Sequence, residues 1–258
     1  MNIEMKHLFA AVALGFAATT TMAQDNPDSQ YASWPTYSGD DLEMKIDKHG
    51  TDFTLWSPKA DAVQVRLYDT DRNSAPVRLI DMARGDNGTW RASVPERLYG
   101  KFYTFAVTID GKQLDETPGI WAKAVGTNGH RAAIIDMPAT NPAGWDQDHG
   151  PRLDNITDAV LYEMHHRDFS IDPSSGIVHK GKFLALTERD TKSPEGRATG
   201  IDHLKELGVT HVHILPSYDY NSVDEANLPS NQYNWGYDPY NYNAVSYTHL
   251  RAHETVLD

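Results

Sequence analysis

The apolar residues of this chain change their period part-way along it, and that change limits the folds open to it. Between Asp41 and about Met137 they recur at every second position: Leu42, Met44 and Ile46; Val63, Val65 and Leu67; Trp90, Ala92 and Val94; Tyr103, Phe105, Val107 and Ile109. Successive side chains of an extended strand point to opposite faces, so this spacing predicts strands with one face buried. Asp86-Asn87-Gly88 precedes one run and Asp110-Gly111 follows another. Both supply residues that tolerate positive φ in tight hairpins. About seven such strands in about 95 residues predict an antiparallel, immunoglobulin-like β-sandwich over residues 41–137.

The period is lost in residues 138–152, PATNPAGWDQDHGPR, which have the composition of a linker. A different pattern follows. Ala159-Val160-Leu161-Tyr162 predicts a short strand, and Ile201, Leu204 and Leu207 after a long polar loop have helical spacing. Gly208 is placed to end that helix, and Val209 to Leu215 predicts a second strand stopping at Pro216. Strand, helix and strand in that order imply a parallel pair and an α/β domain over residues 153–245. A closed eight-fold barrel takes about 250 residues, so the expectation is the truncated start of a (β/α)8 barrel from a longer parent. Its open parallel edge would leave backbone groups and apolar faces uncovered.

Lys6 and His7 precede an apolar run from Leu8 to Ala18, and Thr21-Met22-Ala23 supplies the small residues of a cleavage site. Residues 1–23 therefore predict a signal peptide cut after Ala23, followed by an N-terminal segment, 24–40. The apolar run is about half the roughly 20 residues that span a bilayer, so a secreted or periplasmic protein without a membrane anchor is expected. With 23 Lys plus Arg against 36 Asp plus Glu, the net charge of -13 disfavours nucleic acid as a partner. The absence of cysteine removes disulfides, thiolate metal sites and a cysteine nucleophile.

Tyrosines crowd the region from Tyr218 to Tyr247, and the run Tyr233, Asn234, Trp235, Gly236, Tyr237, Asp238, Pro239, Tyr240 interleaves them with Asn and Asp. Flat rings pack on the apolar faces of sugars while amides and carboxylates reach their hydroxyls. Aromatic packing within an ordered loop accounts for the same residues equally well. His211 and His213 share one strand face, as a metal pair would, but no third ligand is tied to them by spacing and ordinary strand histidines are favoured. His165 and His166 are adjacent and would point oppositely on a continuing strand. Glu163 and Asp168 flank the end of the first α/β strand, Asp168 with Arg167 as a ready ion pair. The glycines of Val125 to Gly129 lack the Lys-Ser/Thr of a phosphate cradle and predict an ordinary loop.

The heptapeptide YNWGYDP, Tyr233 to Pro239, resembles the signature of type I pullulanases, α-1,6-debranching members of the α-amylase superfamily (glycoside hydrolase family 13). VLYEMHHRDFS, residues 160–170, looks like that family's first barrel strand, and GIDHLKELGVTHVHILPSYDY, residues 200–220, like its first helix and second strand. GKFLALTE, residues 181–188, matches the loop between them. AKAVGTNGHR, residues 122–131, looks like the stretch leaving the sandwich, which in this family is a carbohydrate-binding module of the family 48 type. The likeness spans roughly residues 41–245, with His166 a mild departure where relatives commonly have Val.

The resemblance implies a retaining hydrolase of pullulan, starch or glycogen dextrins whose aspartate nucleophile, glutamate acid/base and stabilising aspartate all lie on later strands, so that no catalytic residue is placed in this chain. It implies substrate-binding roles for Tyr237, under the sugar beside the cleaved bond, for Trp235 and Asp238 in the same pocket, and for Tyr233 more weakly. No cofactor is implied, calcium is left open, and an α-glucan polysaccharide is the partner. Two rivals stand beside it: a glucan-binding module acting through Trp90 or Trp121, with Trp56 in the core, and another debranching or branching enzyme of the superfamily. Residues 246–258, SYTHLRAHETVLD, do not resemble the family's continuation and are expected to be a non-native tail.

Overall fold

The computed structural model describes residues 31–150, 152–230 and 232–247. The expected signal peptide lies outside these residues, as does the tail from residue 248 onward. The chain divides into two compact units, Met1–Pro35 and Thr36–Asp258. In the first, Tyr31 packs edge-on against Trp34 at 4.8 Å. The second holds all the elements below.

Its first ten strands are β1 (Glu43–Asp47), β2 (Gly50–Trp56), β3 (Ala62–Tyr68), β4 (Arg78–Asp81), β5 (Ala83–Arg84), β6 (Thr89–Val94), β7 (Phe102–Ile109), β8 (Lys112–Gln113), β9 (Ala124–Val125) and β10 (Ala132–Ala133). They form one sheet in the order β1-β2-β6-β5 and another in the order β9-β10-β7-β3-β4, with β8 paired to β7. All these pairings are antiparallel. Phe53 of β2, Val65 of β3 and Phe105 of β7 are fully enclosed in one core to which both sheets contribute, with Tyr103 set edge-on against both phenylalanines. The alternation in the sequence thus builds the sandwich it predicts. The hairpins fall where expected too, Asp110 and Gly111 joining β7 to β8 at φ 52° and 72°, the left-handed pair a two-residue hairpin turn requires.

The tryptophans distribute differently from the expectation of exposed glucan-facing rings. Trp90 is 5% exposed, donates its indole N–H to the Ser57 carbonyl at 3.0 Å, and lies under the Arg84 guanidinium. It is a core residue, because its own strand alternates inward at Trp90 and Val94. Trp121 is 44% exposed and remains available, while Trp56 is half-buried.

Past residue 152, β11 (Leu161–Met164) pairs in parallel with β12 (His211–Ile214), and α1 (Gly200–Glu206) lies between them in sequence. The helix buries Leu204. It ends in a pair of bonds from Gly208 N to Lys205 O and from Val209 N to Leu204 O, with Gly208 at φ 76°, the two-bond cap in which glycine avoids a Cβ clash. Gly208→Ala is therefore expected to lower thermal stability by about 1 kcal/mol, measurable as a small drop in melting temperature. Leu161 and Val212, on neighbouring strands of this pair, stay exposed. No helix among the described residues is long and apolar enough to cross a membrane.

Three short strands complete the unit: β13 (Asp219–Tyr220), β14 (Pro239–Asn241) and β15 (Val245–Ser246). β13 and β14 pair with each other, and β15 runs parallel to β9, joining the sandwich. Tyr247 then packs edge-on against Phe102 at 5.2 Å. The first two residues of the expected tail are thus part of the sandwich sheet and its packing.

Candidate functional site

The Tyr-Asn-Trp-Gly-Tyr-Asp-Pro run forms a loop leading into β14, opposite the end of β11. Its shape is set at two residues. Gly236 sits at φ 94° with its α-carbon so near Pro216 that an added Cβ would stand 1.9 Å from the Pro216 carbonyl oxygen. Only glycine fits both the dihedral and the space. Asn234 is the second: its Oδ1 accepts the Gly236 N–H at 2.6 Å, and its amide nitrogen donates to Ser222 Oγ at 2.6 Å and to Asp238. Hydrogen bonds from Ser222 and then Asn234 hold the Asp238 carboxyl below the usual carboxylate range.

β11 ends at Met164, and the two histidines after it turn to the same side, their rings stacked at 5.3 Å. The opposed directions expected of a continuing strand do not occur, because the strand has stopped. His165 is 8% exposed and its Nε2 meets the Asn234 carbonyl at 2.9 Å. A ladder of rings runs from Phe183 through His166, His165 and Tyr233 to Trp235. Tyr233 donates to Asp168 Oδ2 at 2.8 Å and lies under the Arg167 guanidinium, while Arg167 bonds the other oxygen of Asp168 at 3.1 Å.

Above this ladder the rings face outward. Tyr233 is 40%, Trp235 61% and Tyr237 67% exposed. Tyr237 and Trp235 thus have aromatic surface to offer, Asp238 is committed to its loop partners, and Tyr233 is held between Trp235, His165 and Asp168. The four sequence-selected residues lie on one loop, and Tyr237 is the most open of them.

From residue 38 to residue 125 the chain matches the family profile of carbohydrate-binding module 48, the isoamylase N-terminal domain. It is 38% identical over 189 residues to a pullulanase of Bacillus subtilis, covering 73% of this chain and 25% of that protein. The apo pullulanase crystal structure from Paenibacillus barengoltzii superposes with a TM-score of 0.81 at 47% identity, over 86% of this chain and 34% of that one. The chain is homologous to the N-terminal region of type I pullulanases. A chloroplastic isoamylase of Zea mays is more distant, 26% identical over 220 residues. The chain spans about a quarter of the curated pullulanase and about a third of the solved one.

The other residues singled out from sequence make local contacts within the fold. His213 Nδ1 pairs with Glu163 Oε2 across the β11–β12 pair at 3.0 Å, with both side chains largely in solvent, and His211 bonds Thr210. No cluster of three metal-binding side chains occurs among the described residues. The loop at Gly126–Gly129 is a seam rather than a cradle: the Asn128 N–H donates to Glu225 at 2.8 Å and its amide to Asp224 at 2.9 Å, while Glu225 N donates back to Asn128 Oδ1. Beside it Asp219 is 1% exposed. Burial pushes its carboxyl up to about 6 although Asn241 donates to it at 2.7 Å. Pattern reading named His165 without giving it a supporting role, and it missed Ser222, Asp219 and Asn241. The trace of the last three in the sequence is the density of Asn and Asp from Asp219 to Asn243.

Proposed function

We propose that this chain belongs to a debranching glycoside hydrolase that cleaves α-1,6-glucosidic linkages in pullulan, starch or glycogen dextrins, and that it supplies the glucan-contacting front of the active site without the catalytic acids. The supporting observation is the exposed Tyr237 ring on a loop fixed at Gly236 and Asn234. A ring carried on a backbone fixed in that way can meet a sugar with little ordering of the loop on binding. The parallel β11–β12 pair with its helix fits the start of a (β/α)8 barrel over residues 153–245, its exposed Leu161 and Val212 awaiting neighbours. The pullulanase of Paenibacillus barengoltzii has been solved with maltohexaose and α-cyclodextrin. In this reading Tyr237 and Trp235 stack on glucose rings, Asp238 shapes the pocket from beneath, and Tyr233 braces Trp235. The residues before 24 export the protein to the periplasm or medium.

Reducing-end release from pullulan tests this. The 258-residue chain is expected to release none, whereas the product of a gene carrying this chain together with later barrel strands is expected to release maltotriose. Tyr237→Ala in that product is expected to lower kcat/KM by about a hundredfold or more, as loss of a positioning contact near the reacting bond does. Hydrolysis of α-1,4 linkages alone, or release by this chain itself, contradicts the proposal.

A further inference from the structure

We infer that Asn128 and Gly129, in the turn between β9 and β10 of the sandwich, are positioning residues that clamp the Tyr237 loop from both flanks. The inference rests on the reading of that loop as a sugar platform. On the first flank, Asn221 N donates to Asp238 O at 2.9 Å and Ser222 N to Asp238 Oδ2 at 3.1 Å, while Ser222 Oγ accepts from Asn234. Two residues on, Asp224 Oδ1 accepts the Asn128 amide at 2.9 Å, and Glu225 exchanges bonds with the Asn128 N–H and Oδ1 at 2.8 Å each. The second flank is β14, where Asn241 donates to Gly129 O at 3.0 Å and to Asp219 Oδ2 at 2.7 Å. The neighbouring Tyr240 ring stands edge-on to His130 at 5.5 Å. An added Cβ at Gly129 would lie 2.1 Å from Asp219 Oδ2 and 2.6 Å from Asn241 Nδ2, so this contact has no slack. Two adjacent sandwich residues thus grip the chain on either side of the exposed rings.

The clamp works through a neutral amide. Asn128 meets two carboxylates, Asp224 and Glu225, and the other charges facing this cluster are Asp71 and Arg72 from the connection after β3. Asp71 itself accepts the N–H of Thr127 at 3.2 Å. A side chain with both a donor and an acceptor satisfies Asp224 Oδ1 and the Glu225 N–H together. An ionised aspartate at 128 would keep the acceptor but set its second oxygen against the Asp224 carboxylate with no proton between them. Lowering the pH supplies that proton, since two facing carboxyl groups can share one. The backbone at Asn128 is left-handed, with φ 60°, a conformation that Asp and Gly also tolerate. Asn128→Asp and Asn128→Gly therefore alter the side-chain bonds without adding backbone strain.

Amide exchange of the whole chain tests the clamp, measured at Gly236 in the loop and at Phe105 in β7, whose N–H is bonded to Thr117 O at 2.7 Å. Maltotriose titration of the same proteins accompanies it. At about pH 8 both variants are expected to exchange Gly236 about tenfold faster than wild type and to bind maltotriose about tenfold more weakly, with Phe105 unchanged. At about pH 5 the ratio of Asn128→Asp to wild type is expected to return toward one in both readouts, while Asn128→Gly keeps its defect. Wild-type exchange at Gly236 in the variants overturns the clamp. Equal acceleration at Gly236 and Phe105 overturns it too, because global stability and not loop position has then been lost. Faster exchange at Gly236 with wild-type affinity for maltotriose overturns the positioning role. Failure of the wild-type chain to bind maltotriose contradicts the sugar platform instead, and the exchange at Gly236 then decides the clamp by itself.

Discussion

Gly236→Ala is expected to dissolve the local order of the Tyr233–Tyr240 loop while leaving the sandwich folded. At φ 94° a side chain costs about 1–2 kcal/mol before any contact is counted. The Cβ would also stand 1.9 Å from the Pro216 oxygen and 2.8 Å from its carbonyl carbon, both backbone atoms that no rotamer change can clear. Either residue 216 or residue 236 must move, and moving 236 breaks the Gly236 bond to Asn234. That bond shares Asn234 with Ser222, Asp238 and His165, so the loss spreads through the loop. A local cost of about 3–5 kcal/mol follows. Amide exchange at residue 236 and the near-ultraviolet signal of the tyrosines are the readouts. Wild-type exchange in the variant would show that the glycine is not what shapes the loop.

The second large effect is expected at Glu43. Its carboxyl is pushed up from 4.5 to about 7, by burial first and against backbone bonds from Trp121 and Ile120. One of its oxygens, Oε2, has no partner. Between those two values the folded protein holds a proton that the unfolded chain has released, so stability falls as pH rises through that window and the full penalty stands above it. At about 1.36 kcal/mol per factor of ten in proton affinity, the penalty is on the order of 3 kcal/mol. Glu43→Gln keeps the acceptor for Trp121 and removes the charge. Its melting temperature is expected to exceed wild type by several degrees at pH 8 and to match it at pH 5. Asp219, pushed up to about 6 by burial, acts in the same direction and is retained in both proteins. An equal difference at the two pH values would mean that Glu43 is not protonated in the fold.

The contrast between these two residues shows what the sequence holds. The sandwich strands are legible because a buried face imposes a period of two on local sequence, and α1 is legible because Gly208 marks its end within the same few residues. Glu43 reads as an outward residue between Leu42 and Met44, and by that rule it should meet water. The chain at Gly119–Trp121 covers it instead, a contact between residues 78 apart that no local pattern records. The same holds for the pairing of β15 with β9, for Asn128 on Asp224 and Glu225, and for His165 under Asn234, 69 residues away. The composition of the loop made Tyr237 and Trp235 visible as candidates. What fixes the backbone beneath those rings, Gly236 against Pro216 and Asn234 with its partners, lies in contacts between distant residues that the composition does not record. Trp90 could have been placed correctly from its own alternating run.

Ring resonances from aromatic carbon–proton spectra of the 258-residue chain titrated with maltotriose address the central claim most directly. Saturable shifts centred on Tyr237 and Trp235, with Gly236→Ala abolishing them, are the expected result. If those two rings stay unmoved while maltotriose perturbs other aromatics, the loop is packing and not a sugar platform.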